Sequence, residues 1–402
     1  MNVLFLGKFF PQSLVSTIAV DSRGKIGLSN HNFEMSIING LCQQEGINLK
    51  CLTIPGVFSF PHNNKKLFTR SESYTYKNTH VFSVGFCNLP IIKELWSTIY
   101  MALHLIKVFY QYQGERVDVI INTPYNGLLK AVYFAKLFTR KKITQTVIIP
   151  DIPYVMTSMD KQSKLKGIIL KYRDRRSMNM ASDSDGLVLL TETMMDFVDK
   201  PVPYIVMEGI VDVESRDVSA DSSSKEIILY TGTLRKIFGV MNLVQAFQIL
   251  THSDVELWIC GSGDSEEAIR EAANLDSRIK FFGLVDSQTA LKMQRQATIL
   301  VNPRTSDGEY TKYSFPSKTI EYLLSGKSVI INRLPGIPEE YYNFVYTPQH
   351  ESVEDLAECI SNVMFLDAET RKLRSLSGRE FIINFKNSRV QIKRILNMIN
   401  QY

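Results

Sequence analysis

Ser314-Phe315-Pro316-Ser317-Lys318-Thr319-Ile320-Glu321-Tyr322-Leu323-Leu324-Ser325-Gly326-Lys327-Ser328-Val329-Ile330 is the stretch from which the architecture is read. A loop leads into a helix opened by Pro316, a turn follows at Ser325-Gly326, and an apolar strand runs from Ser328 to Asn332. Proline just inside a helix and glycine just after it are start and stop signals. The helix start offers backbone N–H groups, the Ser317 hydroxyl, the Lys318 cation and, one turn on, the Glu321 carboxylate. Amides and positive charge suit phosphate, and a lone carboxylate suits sugar hydroxyls. Those are the two halves of a nucleotide-sugar. The plain alternative is an ordinary amphipathic helix of an α/β domain.

Outward from this segment the same alternation recurs. Upstream in the second half lie strands Glu226–Tyr230, Val255–Cys260, Ile279–Phe282 and Thr298–Asn302. Helices Val240–Leu250, Asp264–Ala273 and Asp286–Gln296 separate them, with Pro316–Leu324 completing the set. The first half carries apolar runs at Val3–Leu6, Leu49–Ile54, His80–Val84, Val117–Ile121, Thr144–Ile149 and Gly186–Leu190. Its helical stretches are Asn32–Glu45, Ile91–Tyr112 and Gly127–Phe138. Short apolar strands alternating with helices predict parallel sheets covered on both faces. Ser215–Lys225 is polar, serine-rich and without period, as a linker is. The reading is therefore an α/β chain of two Rossmann-like doubly wound domains, 1–214 and 226–385, joined by the linker 215–225. The final helix, about 386–402, is expected to cross back onto the first domain.

Composition agrees with a soluble chain: 402 residues, 45% hydrophobic and 22% charged. Met1–Gly7 reads as a buried first strand, not an export signal. No run reaches the roughly 18 uncharged apolar residues that span a bilayer. Five scattered cysteines without CxxC spacing point to a reducing compartment and away from a zinc site. A cytoplasmic location is expected. Residues 1–218 hold 25 basic against 19 acidic residues, whereas 219–402 hold 21 against 22. The excess peaks in Lys161–Arg176, with seven basic residues and one aspartate. That strip suits contact with an anionic membrane surface such as the inner face of the plasma membrane, or simply a solvated helix face. It lacks the aromatic interleaving of a nucleic-acid site, and no nucleic acid is expected.

Ligands of such sheets bind at the carboxyl ends of strands, so the loops there hold the candidate residues. Gly232 allows backbone to approach a diphosphate, and Arg235 and Lys236 supply charge to neutralise it. Gly261-Ser262-Gly263 makes a tight floor under a base or ribose, although it is not a GxGxxG fingerprint. His31 and Asn32 open the first long helix near Gly27, where they meet phosphate or acceptor, or merely cap the helix. Asp151 ends the fifth strand and either orients an acceptor hydroxyl or serves the turn before Pro153. Asp183-Ser184-Asp185 has a metal-holding pattern but lies at the amino end of its strand, where a turn role fits better. No metal is expected.

Taken together, Tyr230-Thr231-Gly232, Gly261-Ser262-Gly263, Ile279–Gly283, Asn302-Pro303-Arg304 and Ser314–Ile330 resemble the retaining family 4 glycosyltransferases of GT-B fold, of the bacterial surface-polysaccharide type. Gly27-Leu28-Ser29, Asp185–Thr191 and Glu208-Gly209 extend the likeness more loosely into the first half. The resemblance implies two domains facing a central cleft, a nucleotide-sugar on the second and an acceptor on the first. It implies metal-free transfer of a hexose or N-acetylhexosamine, from UDP more than GDP, to a glycan or polyprenyl-linked acceptor with retained configuration. Arg235, Lys236 and Lys318 then steady the leaving diphosphate, with Asp151 on the acceptor side. Glu321 takes the donor ribose, and Arg304, Ser314, Phe315, Pro316 and Ser317 complete the donor site. Tyr313 stands where relatives often have a first glutamate, and Phe238-Gly239 replaces a Lys-Gly pair. With those departures, the alternatives are a non-catalytic glycan-binding or partner-stabilising subunit, or a sugar-nucleotide epimerase.

Overall fold

A computed structural model describes residues 1–11, 20–21, 28–61, 63–152, 155, 164–213, 226–252 and 254–402. Gly27 and the proposed linker 215–225 lie outside them. The chain divides into two compact units, Met1–Asp212 with Ser388–Tyr402, and Val213–Asn387.

The first unit is built on eight strands: β1 Asn2–Gly7, β2 Asn48–Thr53, β3 Glu72–Tyr76, β4 Thr79–Ser83, β5 Arg116–Asn122, β6 Lys142–Ile149, β7 Gly186–Leu189 and β8 Tyr204–Val206. Their order is β3-β4-β2-β1-β5-β6-β7-β8. All pairs are parallel except β3 on β4 at one edge. The edge strands β3 and β8 have no counterpart in the sequence reading. β3 alternates polar and half-buried positions and β8 is three residues long, so neither carries the continuous apolar run of a central strand. In β1 and β5 that run is plain: Val3, Leu4, Phe5, Leu6, Val119, Ile120 and Ile121 are all buried. Each such side chain contributes about 1.5–3 kcal/mol on leaving water.

The crossover direction sorts the helices. From β1 to β2 the chain moves one way along the sheet, and from β4 through β5 and β6 to β7 it moves the other. Right-handed crossovers therefore put helix Leu28–Cys42 on one face, and helices Pro90–Gln111, Asn126–Lys136 and Lys164–Ser182 on the opposite face. The last of these is a long helix where the sequence showed only a basic strip. Its residues 161–163 lie outside the described set. The C-terminal helix Ser388–Ile399 packs beside Leu28–Cys42. Gly40 makes that contact possible, since a Cβ there would sit 2.4 Å from the Ser388 carbonyl oxygen. Arg116 donates to the carbonyls of Ile399 (2.7 Å) and Tyr402 (2.7 Å), tying the chain end to β5.

The second unit is a five-stranded parallel sheet: β9 Glu226–Thr231, β10 Val255–Cys260, β11 Ile279–Gly283, β12 Ile299–Asn302 and β13 Ser328–Ile331, in the order β11-β10-β9-β12-β13. Ile228, Leu257, Ile259, Val301 and Ile330 pack with Val240, Leu243, Phe247 and Ile360 of the covering helices. The helices after β9, β10 and β11 are Val240–Ile249, Glu266–Leu275 and Ser287–Gln296. Asp286 caps the last of these, accepting from the N–H groups of Gln288 (2.9 Å) and Thr289 (3.0 Å). One expectation is corrected here. The helix of the opening stretch spans Lys318–Leu324, not Pro316–Leu324, and Ser317 makes no side-chain cap. Pro316 instead closes a turn, its carbonyl accepting from Thr319 N–H at 2.9 Å. Both units are doubly wound and Rossmann-like, as the alternation of strands and helices predicts.

Candidate functional site

In each sheet the strand order reverses once, at β1/β5 and at β9/β12, and ligands of such sheets lodge beyond the carboxyl ends at that reversal. The candidate residues collect at both places.

At β9/β12 the loops are locked together backbone to backbone. Gly261 has φ +146°, and a Cβ there would lie 1.8 Å from the Gly232 carbonyl oxygen. A Cβ at Gly263 would lie 2.5 Å from the Leu234 carbonyl. Gly232 N–H donates to Cys260 O (3.0 Å) and Leu234 N–H to Ser262 O (2.9 Å). Gly261 and Gly263 thus serve the contact between the two loops. Gly239, with φ +72°, brings the same loop against the Pro303 carbonyl, 2.3 Å from its would-be Cβ.

That contact builds a cationic centre. The Arg304 guanidinium, 7% exposed, lies over the rings of Tyr310 (4.6 Å) and Phe238 (5.4 Å). Its Nη atoms reach the Ser314 hydroxyl at 3.4 and 3.5 Å. Arg235 lies near the same Phe238 ring, at 6.0 Å. Phe238 therefore offers its ring to two arginines. Tyr310 ties the same loop by donating to Ile237 O at 3.1 Å. Lys236 N–H donates to Asp264 Oδ1 at 2.7 Å, fixing the backbone while leaving the side chain at the surface. Tyr313 and Phe315 are buried, and Phe315 packs on Tyr341 with ring centroids 5.3 Å apart.

Glu321 is held by a network that the sequence reading missed. Its Oε1 accepts from Gln294 Nε2 (2.6 Å) and from Lys318 Nζ (2.9 Å). Gln294 also donates to Thr231 Oγ1 (3.0 Å), and Thr231 N–H donates to the hydroxyl of fully buried Tyr322 (2.9 Å). The carboxylate is thereby pinned to the end of β9. Gln294 sits on a helix from a different βα unit, so no local motif announces it. Lys318 and Glu321 form an i,i+3 ion pair, so the cation assigned to phosphate is shared with the carboxylate assigned to ribose.

At β1/β5 a second cluster forms, mostly from residues outside the sequence reading. Glu34 is fully buried and accepts from Lys8 N–H (2.8 and 3.0 Å), Asn30 (3.3 Å) and Asn122 (2.6 Å). Burial pushes its carboxyl up to about 7, against the opposing pull of those donors. Lys8 lies 4.3 Å from the Tyr125 ring centroid, and burial lowers its pKa. Burial, helped by the nearby Lys8 charge, brings Lys93 down to about 8. Thr123, between Asn122 and Tyr125, has φ +71°, a costly conformation for a β-branched residue. Of the predicted acceptor residues, His31 accepts from Phe10 N–H at 3.3 Å and packs its ring at a tilt against Phe10, and burial lowers its pKa. Asn32 is exposed in the same turn. Both lie inside helix Leu28–Cys42, so a capping role at position 31 is excluded. Asp151 is exposed just beyond β6.

The Asp183-Ser184-Asp185 pattern is structural: Asp183 pairs with Lys200, and Asp185 accepts from Gln145 N–H at 2.7 Å. Among the described residues no group of three His, Cys, Asp or Glu side chains is placed to hold a metal ion.

Residues 225–364 match the family model described as glycosyl transferases group 1. No curated protein sequence matches the chain. Several solved structures match over its full length. Sucrose-phosphate synthase from Thermosynechococcus elongatus has a TM-score of 0.65 at 14% identity, covering 100% of this chain and 99% of its own. Anabaena HepE in complex with UDP has a TM-score of 0.62 at 12% identity, with both chains covered completely. The lipopolysaccharide outer core galactosyltransferase WaaB has a TM-score of 0.60 at 15% identity, covering 100% and 99%. At such identities the likeness is one of fold, the GT-B fold of glycosyltransferases.

Proposed function

We propose that this chain is a glycosyltransferase that moves a hexose or N-acetylhexosamine from a nucleotide-sugar to a hydroxyl of a glycan or lipid-linked acceptor. The observation that carries the reading is the β9/β12 edge. There a buried arginine, three further cations and a carboxylate pinned through Gln294 stand on the loops and the helix that follow the strands. Arg304, Arg235, Lys236 and Lys318 neutralise the diphosphate, whose charge grows as the sugar leaves. Glu321 receives the ribose hydroxyls, and Lys318 exchanges part of its pairing with Glu321 for a phosphate oxygen. UDP is the favoured nucleotide, in keeping with the UDP bound by the similarly folded HepE.

The acceptor side is the β1/β5 edge, where Glu34 holds Asn122 and the Lys8 backbone and the Lys8 side chain lies over Tyr125, with Asp151, just beyond the neighbouring β6, orienting the hydroxyl. The sugar leaves through an oxocarbenium-like state. A departing phosphate oxygen takes the acceptor proton on the same face, so configuration is retained and neither a metal nor a strong protein base is needed.

The test is release of sugar and nucleotide from a panel of radiolabelled UDP- and GDP-sugars. Glu321→Ala and Lys318→Ala are expected to lower kcat/KM by about a hundredfold. Equal turnover in all three chains sinks the assignment. The buried Tyr313 at the place of a family glutamate favours the second reading, a non-catalytic subunit. Calorimetric binding of nucleotide with no turnover of any donor would select it.

A further inference from the structure

The three helices on the face of the first sheet opposite Leu28–Cys42, namely Pro90–Gln111, Asn126–Lys136 and Lys164–Ser182, pack side by side. A core helix of a soluble domain shows one apolar stripe and one polar face. Helix Pro90–Gln111 instead has two apolar faces. Met101, Leu105 and Phe109 are buried, while Leu95, Trp96, Ile99 and Leu103 point outward at helical spacing, 49–64% exposed. Its neighbours continue the surface with Phe134 and Phe138, and with Ile168, Ile169 and Tyr172. Tyr110 joins two of these segments by donating to Phe138 O at 2.9 Å. Of the twenty-eight large hydrophobic residues exposed among the described residues, fourteen lie on 90–111, 126–142 and 164–182. A contiguous patch of this extent marks an interaction surface.

Charge identifies the partner. The same three segments contain thirteen Lys and Arg against two acidic residues, Glu94 and Asp174. The whole chain carries only +5, so the remainder is net negative. Lys107, Arg140, Lys142, Lys171, Arg175 and Arg176 are exposed. A protein partner of ordinary composition would not be matched by so one-sided a field. Outward Trp, Leu and Ile between Lys and Arg form the pattern of a surface that sinks into headgroups.

We propose that this three-helix face docks on an anionic lipid bilayer, its apolar side chains entering the headgroup layer and its basic residues meeting lipid phosphates. The exposed part of the basic strip, Lys171, Arg173, Arg175 and Arg176, is then one edge of a larger surface centred on helix Pro90–Gln111. The proposal is independent of the transfer chemistry, because it rests on the face alone.

The experiment is co-sedimentation of the full chain with vesicles of phosphatidylcholine, alone or with about one-third phosphatidylglycerol. Two variants of exposed residues accompany it: Leu95→Gln/Trp96→Gln/Ile99→Gln, and Lys171→Gln/Arg175→Gln/Arg176→Gln. Thermal melts verify that both fold. At least tenfold tighter binding to the anionic vesicles is expected, lost in the apolar variant and weakened by salt and by the basic variant. Equal binding to both vesicles, or undiminished binding by the apolar variant, overturns the proposal. So does sedimentation as a dimer that the apolar variant abolishes while no vesicle is bound, which would make the face an interface between copies.

Discussion

The two carboxyl edges of this chain solve different problems with the same topology. At β9/β12 the loops are drawn tight by glycines and carry the charged groups themselves: Arg304 buried against two rings, Arg235 half-buried, Lys236 outward and Lys318 on Glu321. At β1/β5 the charged group lies underneath, with Glu34 buried and the polar residues of the loop hung from it. The first arrangement suits an anion brought from solution. The second suits a neutral hydroxyl compound, since it fixes directions of hydrogen bonds without presenting net charge.

The largest effect that tests this contrast is expected at Gly261. A Cβ at 1.8 Å from the Gly232 carbonyl cannot be relieved by a rotamer change, so Gly261→Ala should cost about 4 kcal/mol or more and unfold the second edge. Gly46→Ala, also at positive φ but in open space, should cost only about 1 kcal/mol. Chemical denaturation of the two variants compares them, and similar midpoints would show that the glycine lock is not what holds the loops.

Next is the buried carboxylate. Its folded pKa is raised above the ordinary 4.5 to about 7, so its contribution to stability is fully present below pH 4.5 and lost as pH rises through 7. The loss should be on the order of 3 kcal/mol in wild type and absent in Glu34→Gln. Parallel pH–stability curves for the two chains would break the assignment. The smallest effect is at Thr123, where Thr123→Asn should gain about 1 kcal/mol by accepting the positive φ. If that loop positions the acceptor, transfer falls while donor hydrolysis stays level; a loss of both alike would place Thr123 elsewhere in the mechanism.

Much of the fold could be read from periodicity. The central strands are mostly apolar, and their boundaries shift by only a residue or two because a parallel strand covered on both faces admits few polar positions, such as Asp118 and Gln145. Gly232, Arg235, Gly261, Gly263 and Arg304 could be placed at the carboxyl edge of the second sheet because each follows a strand closely, and Glu321 because its helix follows the loop after β12. The edge strands β3 and β8 could not be read, being half polar or very short. Glu34 was hidden as one acidic residue in a helix, and Gln294 as one amide in a polar one.

The amino-acid sequence by itself determined two α/β units, the polar stretch between them, and the loops at which chemistry gathers, because hydrophobic period and turn chemistry are local properties. Only the tertiary structure decided that Glu321 answers to Gln294, that Phe238 serves two arginines, and that Glu34 lies beneath Asn122. It alone showed that an apolar helix face stays outside among lysines and arginines. Those pairings join residues up to ninety positions apart, and burial, which sets their energies, is not a property of any one segment.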